Sequence, residues 1–122
     1  MTDTIFALSS APGRAGIAVI RVSGPEAATI YRVLTQRSLP APRIAILVRL
    51  LDPADGGLMD EGLALWFPGP RSYTGEDSVE FHVHGGVAVV SVVLESMGRV
   101  EGARPAEPGE FTRRAFLSGK ID

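Results

Sequence analysis

Ser78-Val79-Glu80-Phe81-His82-Val83-His84-Gly85-Gly86-Val87-Ala88-Val89-Val90-Ser91-Val92-Val93-Leu94-Glu95-Ser96-Met97 decides how the rest of the chain is read, because its hydrophobic period changes at the glycine pair. Up to His84 apolar and polar residues alternate strictly, as they do in a strand with one wet face. Val79, Phe81 and Val83 share one side, and Ser78, Glu80, His82 and His84 share the other. From Gly86 the chain is apolar on nearly every side, with Val87, Val90, Leu94 and Met97 at helical spacing. Its valines favour strand, but its length and flanking glycines favour a buried helix from Gly86 to Met97. A strand with one polar face followed by an apolar helix fits a sheet with helices against it.

Outward from this centre, Thr4 to Ser9 and Ile17 to Ser23 read as two strands around the loop Ala11-Pro12-Gly13-Arg14-Ala15-Gly16. Pro25 suits a first helical position, and Ala27, Ile30, Tyr31 and Leu34 form an apolar stripe, so a helix is predicted from Pro25 to about Gln36. Pro40 and Pro42 end it. Arg43 to Leu51 and Gly62 to Phe67 read as strands around the turn Asp55-Gly56-Gly57. Pro108-Gly109-Glu110 opens a last helical stretch through Leu117, with Gly119 placed to stop it. The order β-β-α-β-β-β-α-loop-α makes an α+β fold: a mixed sheet with about three helices and no internal repeat.

Composition bounds what such a domain does. One hundred and twenty-two residues form one domain, with 45% apolar and 21% charged residues. No apolar run is long enough to span a bilayer, and Met1 to Ser10 lacks the basic and apolar regions of a secretory signal, so a cytoplasmic location and no membrane contact are expected. The absence of cysteine excludes disulfides, thiolate metal sites and cysteine nucleophiles. A net charge of -2 gives little attraction to nucleic acid. Neither G-x-x-x-x-G-K-[ST], G-x-G-x-x-G nor G-x-S-x-G occurs, so no nucleotide triphosphate site and no nucleophile elbow are expected.

Five features carry chemistry. Glu80, His82 and His84 form a polar row that reads either as a solvated sheet face or as a binding wall. His82 and His84, the only histidines, could share a cation with Glu80, but no further ligand follows in Gly85-Gly86-Val87-Ala88. Arg21 lies in the otherwise apolar strand Ile17 to Val22, where an unpaired guanidinium would cost several kcal/mol to bury. It either reaches water, pairs internally with a residue such as Glu80, or clamps a ligand oxygen through its bidentate fork. The loop from Pro68 to Asp77, with the single aromatic Tyr73, is either a connector or a pocket rim. Eleven of the twelve basic residues are Arg, so the lone Lys120 is either chance or a site that needs a compact ammonium.

Taken in order, Asp3-Thr4-Ile5, Pro12-Gly13-Arg14, Gly16-Ile17-Ala18-Val19-Ile20-Arg21-Val22-Ser23-Gly24, the loop Phe67 to Asp77, Glu80-Phe81-His82-Val83-His84-Gly85-Gly86 and the stretch Arg104 to Asp122 resemble the N-terminal domain family of the tRNA modification GTPases called MnmE or TrmE. The resemblance implies a fold akin to the folate-binding domain of the glycine-cleavage aminomethyltransferase. It also implies a homodimer with a pocket for 5-formyl-tetrahydrofolate or 5,10-methylene-tetrahydrofolate at or near the interface. The family's folate contacts fall here on Arg21, Glu80 and Lys120. GTP, magnesium and potassium sites belong to other parts of the whole family protein, as do most tRNA contacts. That protein acts on C5 of the wobble uridine with the flavoprotein MnmG. Two rivals stand beside this expectation: a free-standing folate-dependent one-carbon transferase, and a dimerisation module with no ligand.

Overall fold

The computed structural model describes residues 3–10 and 16–120; the loop motif Pro12-Gly13-Arg14 and the pair Ile121-Asp122 lie outside the described residues. The strands β1 (Thr4–Leu8), β2 (Ile17–Ser23), β3 (Ile46–Leu51), β4 (Leu58–Phe67), β5 (Ser78–His84) and β6 (Ala103–Pro105) are joined by the helices α1 (Ala27–Thr35), α2 (Val87–Gly98) and α3 (Glu110–Leu117). They form one sheet in the order β3-β4-β5-β2-β1-β6. All neighbours are antiparallel except β1 and β6, so the sheet is mixed and the fold is α+β, as the sequence implies.

The alternation in β5 sorts its side chains as expected. Val79, Phe81 and Val83 are buried, together with Ala18, Ile20 and Val22 of β2, against Ile30, Tyr31 and Leu34 of α1 and Val90, Val93 and Met97 of α2. The Tyr31 and Phe81 rings stack with centroids 6.2 Å apart. Burying these aliphatic and aromatic side chains supplies the main stabilisation, at about 1.5 to 3 kcal/mol for each large one.

Helix α1 begins at Ala27 rather than Pro25. Gly24 has φ +139°, a conformation that suits glycine, and a Cβ there would lie 2.6 Å from Thr4 Cα. The Thr4 hydroxyl accepts the Glu26 N–H at 2.7 Å, so a residue of β1 satisfies one of the free donors at the helix start. The stretch between α2 and α3, expected to be a loop, contains β6, a strand of three residues with no pattern of its own. Strand β4 starts at Leu58, four residues before the expected Gly62, because Leu58 pairs with Leu51 of β3.

Candidate functional site

The second sheet face has no α1 or α2 over it, and the pairings arrange its side chains in rows. Leu65, Glu80, Arg21 and Ala7 form one row across β4, β5, β2 and β1. The next row is Leu47, Leu63, His82 and Val19. Leu47 and Leu63 are exposed there, as is Ile17, which pairs with His84. On the other side of Arg21, Phe67, Ser78, Ser23 and Ile5 form a row at the end occupied by the Pro68 to Asp77 loop.

Arg21 and Glu80 face each other in register, with Nη2 3.3 Å from Oε2, so the internal pairing considered from sequence is present. Their side chains remain 29% and 21% exposed, which leaves room for a further partner. The guanidinium carbon also stands 5.4 Å from the ring centre of Tyr73 and 5.9 Å from that of Phe111. Ring contacts use a guanidinium's face and leave its in-plane N–H groups for acceptors. Arg21, Glu80, Phe67, Tyr73 and Ser78 line a cavity of 80 Å³. Tyr73 therefore belongs to a pocket rim, the second of the two readings of its loop.

The histidines of the row do not converge. His82 Nε2 lies 3.2 Å from Glu80 Oε1, while His84 places its backbone N and ring Nδ1 each 2.8 Å from the two oxygens of Asp60. Burial pushes the Asp60 carboxyl up, but the bonds from His84 and from the Glu61 backbone outweigh this and hold it below its ordinary value. Among the described residues no three His, Asp or Glu side chains are grouped to hold a metal ion.

Lys120 is not among the residues that line the cavity of Arg21 and Glu80. It is exposed, its backbone N–H bonds to Ala115 O at 2.9 Å, and its side chain lies against Gly75, where a Cβ would be 3.9 Å from Lys120 Cε. It thus meets the same loop that carries Tyr73, from the side of α3.

A charge network absent from the sequence reading fixes α3 and this loop together. Glu110 is buried and receives Arg104 in a two-pronged pair, at 2.9 and 2.7 Å. The Glu107 N–H and Arg114 Nη2 reach the same carboxylate, at 2.9 and 3.3 Å. Hydrogen bonds from Arg104 are the largest cause holding the Glu110 carboxyl down at about 2, helped by the Glu107 N–H and both arginine charges and opposed by burial. Arg114 Nη1 also bonds Glu76 at 3.0 and 3.2 Å, and Ser23 Oγ donates to Glu76 Oε1 at 2.7 Å. These charged side chains border a wider cleft, of 480 Å³, but they are already paired with one another. The smaller cavity, where Arg21 and Glu80 are part-exposed, is the better candidate for a ligand.

A six-stranded sheet with one part-open face, bordered at one end by a loop and α3, thus defines an α+β domain with a candidate binding face. The chain belongs to the family described as the N-terminus of the GTP-binding protein TrmE, whose model matches residues 4–120. It is 62% identical over 120 residues to the human mitochondrial 5-taurinomethyluridine-[tRNA] synthase subunit GTPB3, covering 98% of this chain and 24% of that protein. It is 60% identical over 122 residues to the tRNA modification GTPase MnmE of Phenylobacterium zucineum, covering 100% of this chain and 27% of that protein. The MnmE of Parvibaculum lavamentivorans is 56% identical over 120 residues, covering 98% of this chain and 27% of that protein. The chain therefore spans about a quarter of the length of these relatives.

Proposed function

We propose that this domain binds a reduced folate, 5-formyl- or 5,10-methylene-tetrahydrofolate, beside Arg21 and Glu80, and pairs with a second copy through its open sheet face. The supporting observation is the part-exposed Arg21–Glu80 pair in a cavity bounded by the aromatic rings of Tyr73 and Phe67. A carboxylate suits the ring N–H and exocyclic amine of a pterin, and a guanidinium suits carbonyl or carboxylate oxygens. Lys120, whose side chain lies against Gly75 of the loop, is assigned to the same ligand as a contact reached from α3.

The cavity of 80 Å³ is far below the roughly 300 Å³ of a pocket for a ligand of this size. Folate binding therefore needs the rim to open or a second surface to complete it. The exposed Ile17, Leu47 and Leu63 beside His82 supply an apolar patch for a second copy. Within a longer protein such as its relatives, the domain would present the one-carbon donor for modification at C5 of the tRNA wobble uridine, alongside the flavoprotein MnmG. GTP hydrolysis, with its magnesium and potassium, is assigned to segments outside this chain.

Calorimetric titration of the 122-residue chain with 5-formyl-tetrahydrofolate tests the reading, run beside Glu80→Gln. Glu80→Gln should weaken binding by about 1.5 to 3 kcal/mol, tenfold or more, because a hydrogen bond to a charged group is lost. Unchanged affinity in the variant refutes the assignment. A dimer that binds no folate favours the dimerisation module instead.

A further inference from the structure

We infer that Arg114 is a positioning residue for Arg21: it ties α3 to the Pro68 to Asp77 loop so that Phe111 and Tyr73 hold the Arg21 guanidinium at the cavity. The inference extends the folate reading, and it stands on geometry of its own. Phe111 is three residues before Arg114 on α3, and Tyr73 is three residues before Glu76 in the loop. Each ring that meets Arg21 is therefore carried by an element anchored at one end of the Arg114–Glu76 pair.

The tie is buried where the other link between the two elements is not. Arg114 is 9% exposed and spans both Glu76 oxygens and Glu110. The Tyr73 hydroxyl and Thr112 Oγ1, 3.2 Å apart, are exposed to water and hold less firmly. Glu76 also takes the Ser23 hydroxyl, which itself lies 2.6 Å from Thr74 Oγ1. Ser23 is two residues from Arg21 on the same face of β2, so the carboxylate registers loop, helix and strand against one another. Arg104, Glu107 and Arg113 face Glu110 but do not reach Glu76. Among the described residues, Arg114 is the cation that joins the two carboxylates.

The primary experiment needs no ligand. Ring currents from Tyr73 and Phe111 should displace the Arg21 Nε–Hε proton resonance upfield in the 122-residue chain, with Arg21→Lys identifying the signal. Phe111→Leu and Tyr73→Leu should each reduce the displacement. Arg114→Gln should reduce it too, and Arg114→Lys, which keeps one charge between the carboxylates, should restore part of it. If Arg114→Gln does not fold, Glu76→Gln and Arg114→Lys give the same reading from folded protein. An undisplaced Arg21 signal in wild type, or one unmoved in a folded Arg114→Gln or Glu76→Gln, overturns the inference.

Folate titration then separates positioning from general loosening. Arg114→Gln should weaken 5-formyl-tetrahydrofolate binding about tenfold in wild type. Added to the Tyr73→Leu and Phe111→Leu double variant, it should cost less than about twofold more, because the rings it places are gone. A full, additive loss in that background overturns the inference. If wild type binds no folate, the ligand reading fails and the Arg21 resonance alone decides the role of Arg114.

Discussion

Replacing Glu110 with Gln should remove much of the domain's sensitivity to acid. The Glu110 carboxyl is held from 4.5 down to about 2, and the shift reflects favourable interactions of the ionised form in the folded state. A group whose folded value is depressed contributes fully above its unfolded value and loses that contribution as pH falls toward the folded one. The window is therefore pH 4.5 down to about 2. The drop corresponds to at most about 3 kcal/mol. Arg104, the main partner, is 38% exposed, and water screening reduces the figure to about 2 kcal/mol. Urea unfolding between pH 7 and pH 2.5 measures it. Wild type should lose about 2 kcal/mol across the window beyond what the variant loses, and Glu110→Gln should already be weaker by a similar amount at pH 7. Arg114 keeps Glu76 in the variant, so the larger penalty of a fully unpaired buried charge should not appear. Parallel pH profiles for the two proteins would refute the assignment of acid sensitivity to this carboxylate.

Gly62→Ala should destabilise the domain by about 3 kcal/mol, since its Cβ would fall 2.2 Å from His82 O and push β4 from β5; thermal melts check it, and a change under about 1 kcal/mol counts against the register. Leu47→Lys with Leu63→Lys should leave the fold intact and shift sedimentation toward monomer, because both side chains lie exposed on the open face; an unshifted dimer moves the interface elsewhere. Asp60→Asn should cost less than about 1 kcal/mol at pH 7, as its partner His84 is 69% exposed. The same variant should flatten the stability profile below the ordinary Asp value of 3.8, since a depressed carboxyl loses its contribution there; an unchanged profile refutes this.

The features legible in sequence were those with a local cause. Period two placed β5 at Ser78–His84 with its polar and buried faces assigned correctly, and the glycine pair marked the start of α2. Pro108-Gly109-Glu110 and Gly119 bracketed α3, where Gly109 and Gly119 adopt φ of +74° and +81°. Strand β3 begins at Ile46, not Arg43, which takes φ +62° and bonds Trp66 O outside the ladder. β6 had no signal because three residues hold strand form only through their pairing with β1. The site divides the same way. Arg21 stood out as a charge in an apolar strand and Glu80 as part of a polar row, and their contact follows from register. Glu76 and Arg114, 38 positions apart, carry no local mark of their pairing, and neither does Phe111 beside Arg21.

The parallel seam between β1 and β6 bears on how the chain folds as it is made. Thr4, Ile5 and Phe6 are made long before Ala103, Arg104 and Pro105, the residues that pair with their outer edge. For roughly a hundred residues of synthesis, that edge can offer unpaired N–H and C=O groups to any extended neighbour. The late segment that closes it also carries Arg104, which binds Asp3 and Glu110, so one arrival seals the sheet and docks α3. A nascent chain stalled before residue 103 should therefore be the form most prone to aggregate and most readily held by chaperones.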